Sequence, residues 1–176
     1  MRMFEICIRM PAKDSAYQYH QAVWDAVRRG KSDTRDFLYR VIEVGGTALV
    51  KVRSHNKLLP TAHGMSPPES EKTYSLQTVL TPKPGKGLFT EKSARSLVER
   101  KLTDSGFSVV DLHIQFLRGL TFGKPGFESW VFRRFEVFAT VTVLDERLAA
   151  EAMRRGIGKG RAFGFGMLEL EEIENE

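Results

Sequence analysis

Over residues 2–9 apolar and polar residues alternate, with Phe4, Ile6 and Ile8 sharing one face, and a period of two predicts a strand. From residue 16 the spacing changes. Ala16, Tyr19, His20, Val23, Trp24 and Val27 recur at helical intervals behind the capping pair Asp14 and Ser15. Arg28, Arg29 and Gly30 supply a positively charged, glycine-terminated end to that helix. Two apolar runs beginning at Phe37 and Ala48 flank Gly45-Gly46-Thr47, a hairpin signal. Residues 55–72 are polar, with Pro60, Pro67 and Pro68, and predict a loop with at most one short turn of helix. Tyr74 to Leu80 reads as a further strand. The first half thus has the order β-α-β-β-(short α)-β, which is ferredoxin-like.

Residues 81–88 hold two prolines and two glycines and read as a linker. Beyond them, Thr90 offers a cap to a helix whose Ala94, Leu97, Val98 and Leu102 form an inward stripe. Phe107 to Leu117 and Trp130 to Leu144 predict strands. Asp145 can cap a second helix running to Arg155, and an alternating strand passes through Met167 to Glu171. The expected architecture is α+β: a ferredoxin-like unit over 1–80, a linker at 81–89, and a second such unit over 90–176 with one element missing or abbreviated. No repeat is visible between the halves, so the duplication follows from element order alone.

Charge narrows the class of partner. The chain has 176 residues and a net charge of +5. Its last eight residues hold five glutamates and no base, so the rest of the chain stands at +10. A basic body favours a polyanion. No apolar run approaches the length of a membrane span, and the N-terminus, broken by charges, is not a signal peptide. A single cysteine, Cys7, forms no internal disulfide, fits a reducing cytoplasm and reads as a small packing residue in the first strand.

Residues 156–166 carry five glycines: Gly156, Gly158, Gly160, Gly164 and Gly166. Each weakens regular structure, so packing alone does not account for all of them. Glycine lets a phosphate approach the backbone N–H groups, and Lys159 and Arg161 add charge in the same loop. The spacing is neither a dinucleotide fingerprint nor a P-loop. A helix cap followed by a bulged strand is the plainer reading.

Tyr17 and His20 stand three apart and share a face of the first helix. Cutting RNA without a metal requires a base for the 2′-hydroxyl proton, an acid for the leaving 5′-oxygen and donors to the charged phosphorane. Histidine titrates near neutrality and serves as acid or base, while tyrosine can donate to the phosphate. A histidine on an apolar stripe is also an ordinary packing residue, and Tyr19 replaces Tyr17 if the helix phase differs. The histidines lack ligand spacing, and the acids form no DxD or HD pair, so neither a zinc site nor two-metal chemistry is expected.

Between residues 115 and 135, Arg118, Lys124, Arg133 and Arg134 interleave with six aromatics. A basic hairpin can follow phosphates or enter the groove of an RNA stem. The alternative makes most of these aromatics core and the arginines a solvated face.

Tyr17-Gln-Tyr-His20-Gln-Ala-Val-Trp24, followed by Thr34-Arg-Asp-Phe-Leu-Tyr-Arg-Val, resembles the N-terminal signature of CasE-type CRISPR repeat endoribonucleases of the RAMP superfamily. Residues 156–168 are similar to their glycine-rich loop and the start of their final strand, and Glu91 to Leu102 resembles their second-domain helix. The resemblance implies two ferredoxin-like domains, recognition of a repeat stem-loop and one cut at the 3′ base of the stem. It further implies retention of the product in an effector complex with other Cas subunits, of type I-E (Cascade) or type IV. No cofactor is implied. It makes the residue matching His20 catalytic with Tyr17 assisting, and it assigns RNA contact to Gly156, Gly158, Gly160, Arg161, Arg133 and Arg134. A subunit that binds the RNA hairpin without cutting it is the alternative reading of the same features.

Overall fold

The computed structural model describes residues 2–27, 36–82 and 89–174. The expected helix end at Arg28, Arg29 and Gly30, the Thr34-Arg35 part of the signature, linker residues 83–88, and Asn175 and Glu176 lie outside the described residues.

The first sheet is built from β1 (Met3–Pro11), β2 (Phe37–Val44), β3 (Thr47–Ser54) and β4 (His63–Met65), with α1 (Ala16–Val27) between β1 and β2. All pairings are antiparallel and the spatial order is β2-β3-β1-β4. Gly45 and Gly46, both at positive φ, close the two-residue hairpin between β2 and β3. α1 covers one face, where Tyr19, Val23 and Val27 pack on Phe37, Tyr39, Ala48, Val50 and Val52. Ser15 Oγ accepts from the Gln18 amide, the cap that the sequence offers. Cys7 falls on the opposite face and is exposed, so it is not the packing residue expected of it.

The second sheet contains β5 (Thr73–Leu80), β6 (Phe107–Thr121), β7 (Val131–Val143) and β8 (Glu169–Glu172), in the order β6-β7-β5-β8. α2 (Glu91–Asp104) and α3 (Glu146–Arg155) cover it, capped by Thr90 and Asp145 as their sequences predict.

Two features depart from the sequence reading. The strand at 73–80 does not close the first sheet; it pairs with β7 and β8 in the second. Its place beside β1 is taken by β4, in the segment expected to form only loop with a helical turn. The second sheet therefore has the full β-α-β-β-α-β order, and it is the first that lacks its second helix. The pattern at 73–80 could not decide this. Tyr74, Leu76, Thr78 and Leu80 are buried, and so is Val79 on the other face, so the strand suits either core.

The outer faces of the two sheets meet. Arg40 of β2 donates to Glu136 of β7 at 2.6 Å and to Glu169 of β8 at 2.8 Å, and Lys51 donates to Glu169 at 2.7 Å. Arg53 of β3, 2% exposed, pairs with Glu5 at 2.9 Å and donates to the Leu168 carbonyl at 2.6 Å. Burial lowers the Arg53 pKa, and Glu5 beside it opposes that shift. These contacts fix how the glycine-rich loop of one half sits against the helix of the other.

Candidate nucleic-acid interface and active site

The loop after α3 folds back on itself. The Ile157 amide donates to Gly166 O and the Gly166 amide to Val79 O, both at 2.8 Å. A Cβ at Gly166 would stand 1.9 Å from Ile157 O, and one at Gly156 would stand 2.8 Å from Gly166 O. Gly160 and Gly164 press on the rings of Phe165 and Tyr39 in the same way. Only Gly158, with its nearest neighbour at 3.5 Å, has room to spare among the five. Packing thus accounts for four of these glycines and leaves Gly158 as the one it does not require. The tight fold raises residues 158–163 as a protruding turn.

That turn borders a cleft of about 650 Å³ lined by Asp36, His55, Arg154, Arg155, Lys159 and Arg161, with Gly158, Gly160, Ala162 and Phe163. Lys159 and Arg161 are exposed, and Arg161 donates to the Arg155 carbonyl at 3.2 Å. Arg154 and Arg155 were not singled out from the sequence; their position directly before the glycines was the available signal. His55 enters from the opposite half, where Asn56 links it to Asp36. Arg154 and Arg155 share the carboxylate of Glu151, and with Lys159 and Arg161 beside them and Asp36 the one described carboxylate in the wall, the cleft keeps a positive balance that favours an anion.

α1 packs against the protruding turn. His20 Nδ1 lies 2.8 Å from Ala162 O, and the Tyr39 hydroxyl donates to the same oxygen at 3.2 Å. A carbonyl oxygen only accepts, so Nδ1 carries the proton, and in the neutral ring Nε2 is the acceptor. The imidazole is half-buried and rests 5.5 Å from the Phe163 ring.

Tyr17 lies on the same side of α1. Its ring meets Phe122 edge-on at 6.1 Å, and Phe122 meets Phe163 at 5.3 Å. Tyr19 is buried instead. Its hydroxyl donates to Glu43 and accepts from the Lys13 amide, and burial together with Glu43 pushes its pKa up to about 12.

The hairpin cations do not line the large cleft. Lys124 Nζ stands over the Tyr17 ring at 5.7 Å, beside α1. Arg134 donates to Arg118 O at 2.7 Å and lines a smaller cavity of about 270 Å³ on the far side of the turn, with Tyr19, Glu43 and Arg40. Burial lowers its pKa, opposed by Glu43. Arg118 and Arg133 are exposed. Lys159 and Arg161 thus line the large cleft and Arg134 the smaller cavity, with Phe163 of the turn in the wall of both. Among the described residues no helix is long and apolar enough to cross a membrane.

Comparison with solved structures shows the same two-sheet fold elsewhere. Thermus thermophilus Cse3, bound to an RNA representing a pre-cleavage complex, superposes with a TM-score of 0.78 at 19% identity, over 97% of this chain and 100% of that one. Cas6e of Escherichia coli K-12 gives 0.74 at 20% identity over 98% and 100%. A chain of a CRISPR RNA-guided surveillance complex gives 0.71 at 16% identity over 97% and 100%. No curated protein matches in sequence. The sequence profile of the CRISPR-associated protein family matches residues 67–171, a span that holds the hairpin and the glycine-rich loop and leaves out α1. With more than half of its length matched, this chain belongs to the CRISPR-associated protein family.

Proposed function

We propose that the protein is a metal-independent endoribonuclease that binds the stem-loop of a CRISPR repeat and cuts precursor RNA at the 3′ base of the stem. The observation that carries the reading is the contact of His20 Nδ1 with Ala162 O, which sets Nε2 as a proton acceptor beside a cationic cleft. Nε2 removes the proton of a ribose 2′-hydroxyl, and the 2′-oxygen bonds to the adjacent phosphorus as the bond to the 5′-oxygen breaks. A proton from water completes the 5′-hydroxyl, and the other product ends in a 2′,3′-cyclic phosphate. Lys159 and Arg161 stabilise the charged phosphorane, and the Tyr17 hydroxyl donates to the phosphate or positions the attacking hydroxyl. Arg118, Lys124, Arg133 and Arg134, with the backbone at Gly156, Gly158 and Gly160, hold the RNA. In this reading the two ferredoxin-like units divide between Met65 and Thr73.

The solved relatives support the substrate. One is a Cse3 with RNA bound before cleavage, another a Cse3 endoribonuclease bound to a 19-nucleotide RNA, and others are Cascade and surveillance complexes. By the same reasoning the cut RNA stays on the protein, alongside other Cas subunits.

Labelled repeat RNA incubated with the protein in EDTA tests the reading. One cut yielding a cyclic phosphate end is expected. Tight binding with intact RNA would leave a binding subunit without nuclease activity. Cleavage only on adding Mg²⁺ would overturn the chemistry.

A further inference from the structure

The loop between β6 and β7, residues 122–130, holds three aromatics of unequal fate. Phe122 is buried, while Trp130 is 43% and Phe127 60% exposed. Trp130 is not loose. One face of its indole lies flat on Phe122, with centroids 3.9 Å apart and planes within 11°, and its carbonyl accepts from the Phe122 amide at 2.8 Å. The loop is itself tied to α1: Phe122 O accepts from the Tyr17 amide at 3.0 Å, and a Cβ at Gly123, at positive φ, would stand 2.6 Å from Ser15 Cβ. Rings run in contact from His20 through Phe163 and Phe122 to Trp130. The indole is thus held in a set position relative to the imidazole.

We infer that Trp130 is a stacking platform for one unpaired base of the RNA next to the cut bond, with Lys124 on that nucleotide's phosphate; this rests on the RNA reading above. A fixed indole with one face covered and the other accessible offers a base a flat surface and little entropy to lose. Lys124 Nζ sits 4.0 Å above the Phe127 ring and so is held at the same loop. Glu128 is the one acid of the loop, and Arg118 and Arg133 stand exposed on its flanking strands. The cationic surroundings favour a nucleotide over an apolar protein segment. Bases inside a duplex stack on each other and present only edges, so the ring that meets Trp130 comes from an unpaired position flanking the stem. Because every base has a π-face, this site tolerates any base while requiring that one be there.

The test uses repeat RNA with a 2′-deoxy sugar at the scissile position, so that binding is read without cleavage. Abasic residues placed one at a time in the unpaired flanks should reveal one position at which affinity for the unaltered protein falls roughly 5- to 150-fold, the worth of one stack. Trp130→Ala should show the same loss on intact RNA and no further loss at that abasic position, while Trp130→Phe keeps most of the affinity. No sensitive abasic position, or a sensitive position whose loss simply adds to that of Trp130→Ala, would overturn the inference. Unchanged RNA affinity in Trp130→Ala would overturn it too and assign the exposed ring to a protein neighbour. Failure of cleavage on ordinary RNA would overturn the nuclease reading and leave this binding result standing.

Discussion

His20 Nδ1 and the carbonyl oxygen of Ala162 stand 2.8 Å apart across 142 residues of chain. The contact joins the helix of the first half to the glycine-rich turn of the second. It also orients the ring, because a proton committed to a carbonyl on one nitrogen leaves the other to accept. Replacing His20 by Ala should slow cleavage roughly 10²- to 10⁴-fold, the usual worth of a general base, with stem-loop affinity nearly unchanged. Single-turnover rates and a filter-binding titration measure the two effects separately. An unchanged rate would remove His20 from the reaction.

Gly166 and Gly158 separate packing from contact with RNA. Gly166→Ala places a methyl 1.9 Å from Ile157 O at positive φ, and should lower the melting temperature and RNA affinity together. Gly158→Ala meets nothing closer than 3.5 Å and should cost only the backbone strain, about 1–2 kcal/mol. Thermal melts of the two variants give the comparison, and equal losses would contradict it.

Lys159 and Arg161 protrude from the turn as exposed cations. If each holds a phosphate, Lys159→Ala and Arg161→Ala should each weaken RNA binding across all sequences. Each should also reduce the slope of log affinity against log salt by about 1. A slope identical to that of the unaltered protein would show that neither touches the backbone.

Arg53 is buried against Glu5 and two carbonyls, those of Leu168 and Met153. Arg53→Ala strands a carboxylate and both acceptors, and should cost about 3–5 kcal/mol in urea denaturation. Arg53→Met combined with Glu5→Gln removes the charge problem and should leave about 1–3 kcal/mol, from the carbonyls that lose a donor.

Burial would raise the Glu169 carboxyl, but the hydrogen bond from Lys51 and the charge of Arg40 outweigh it and hold the group below its ordinary 4.5. A folded value below the unfolded one means stability that is complete above about pH 4.5 and lost as pH falls through the lower folded value. Glu169→Gln should therefore be less stable at neutral pH and flatter in its acid limb than the unaltered protein. Denaturation midpoints between pH 3 and 7 provide the measurement.

The sequence by itself determined most of the elements, β4 excepted. The alternation around Ile6, the helical stripe from Ala16 to Val27, the Gly45-Gly46 hairpin and the caps Thr90 and Asp145 all rest on neighbours within a few residues, where period and capping chemistry act. The basic loop and the place of His20 on a helix were legible for the same reason, as was the likeness carried by Tyr17, His20 and the glycines. Only the tertiary structure decided which sheet took the strand at 73–80, that Cys7 is exposed, and that four glycines serve close packing within the loop and against β2. It alone sank Arg40 and Arg53 between the sheets, parted the hairpin cations from the large cleft, and brought Ala162 to His20. Those outcomes depend on which surfaces meet across long stretches of chain, and a local pattern of apolar and polar residues carries no record of its distant partner.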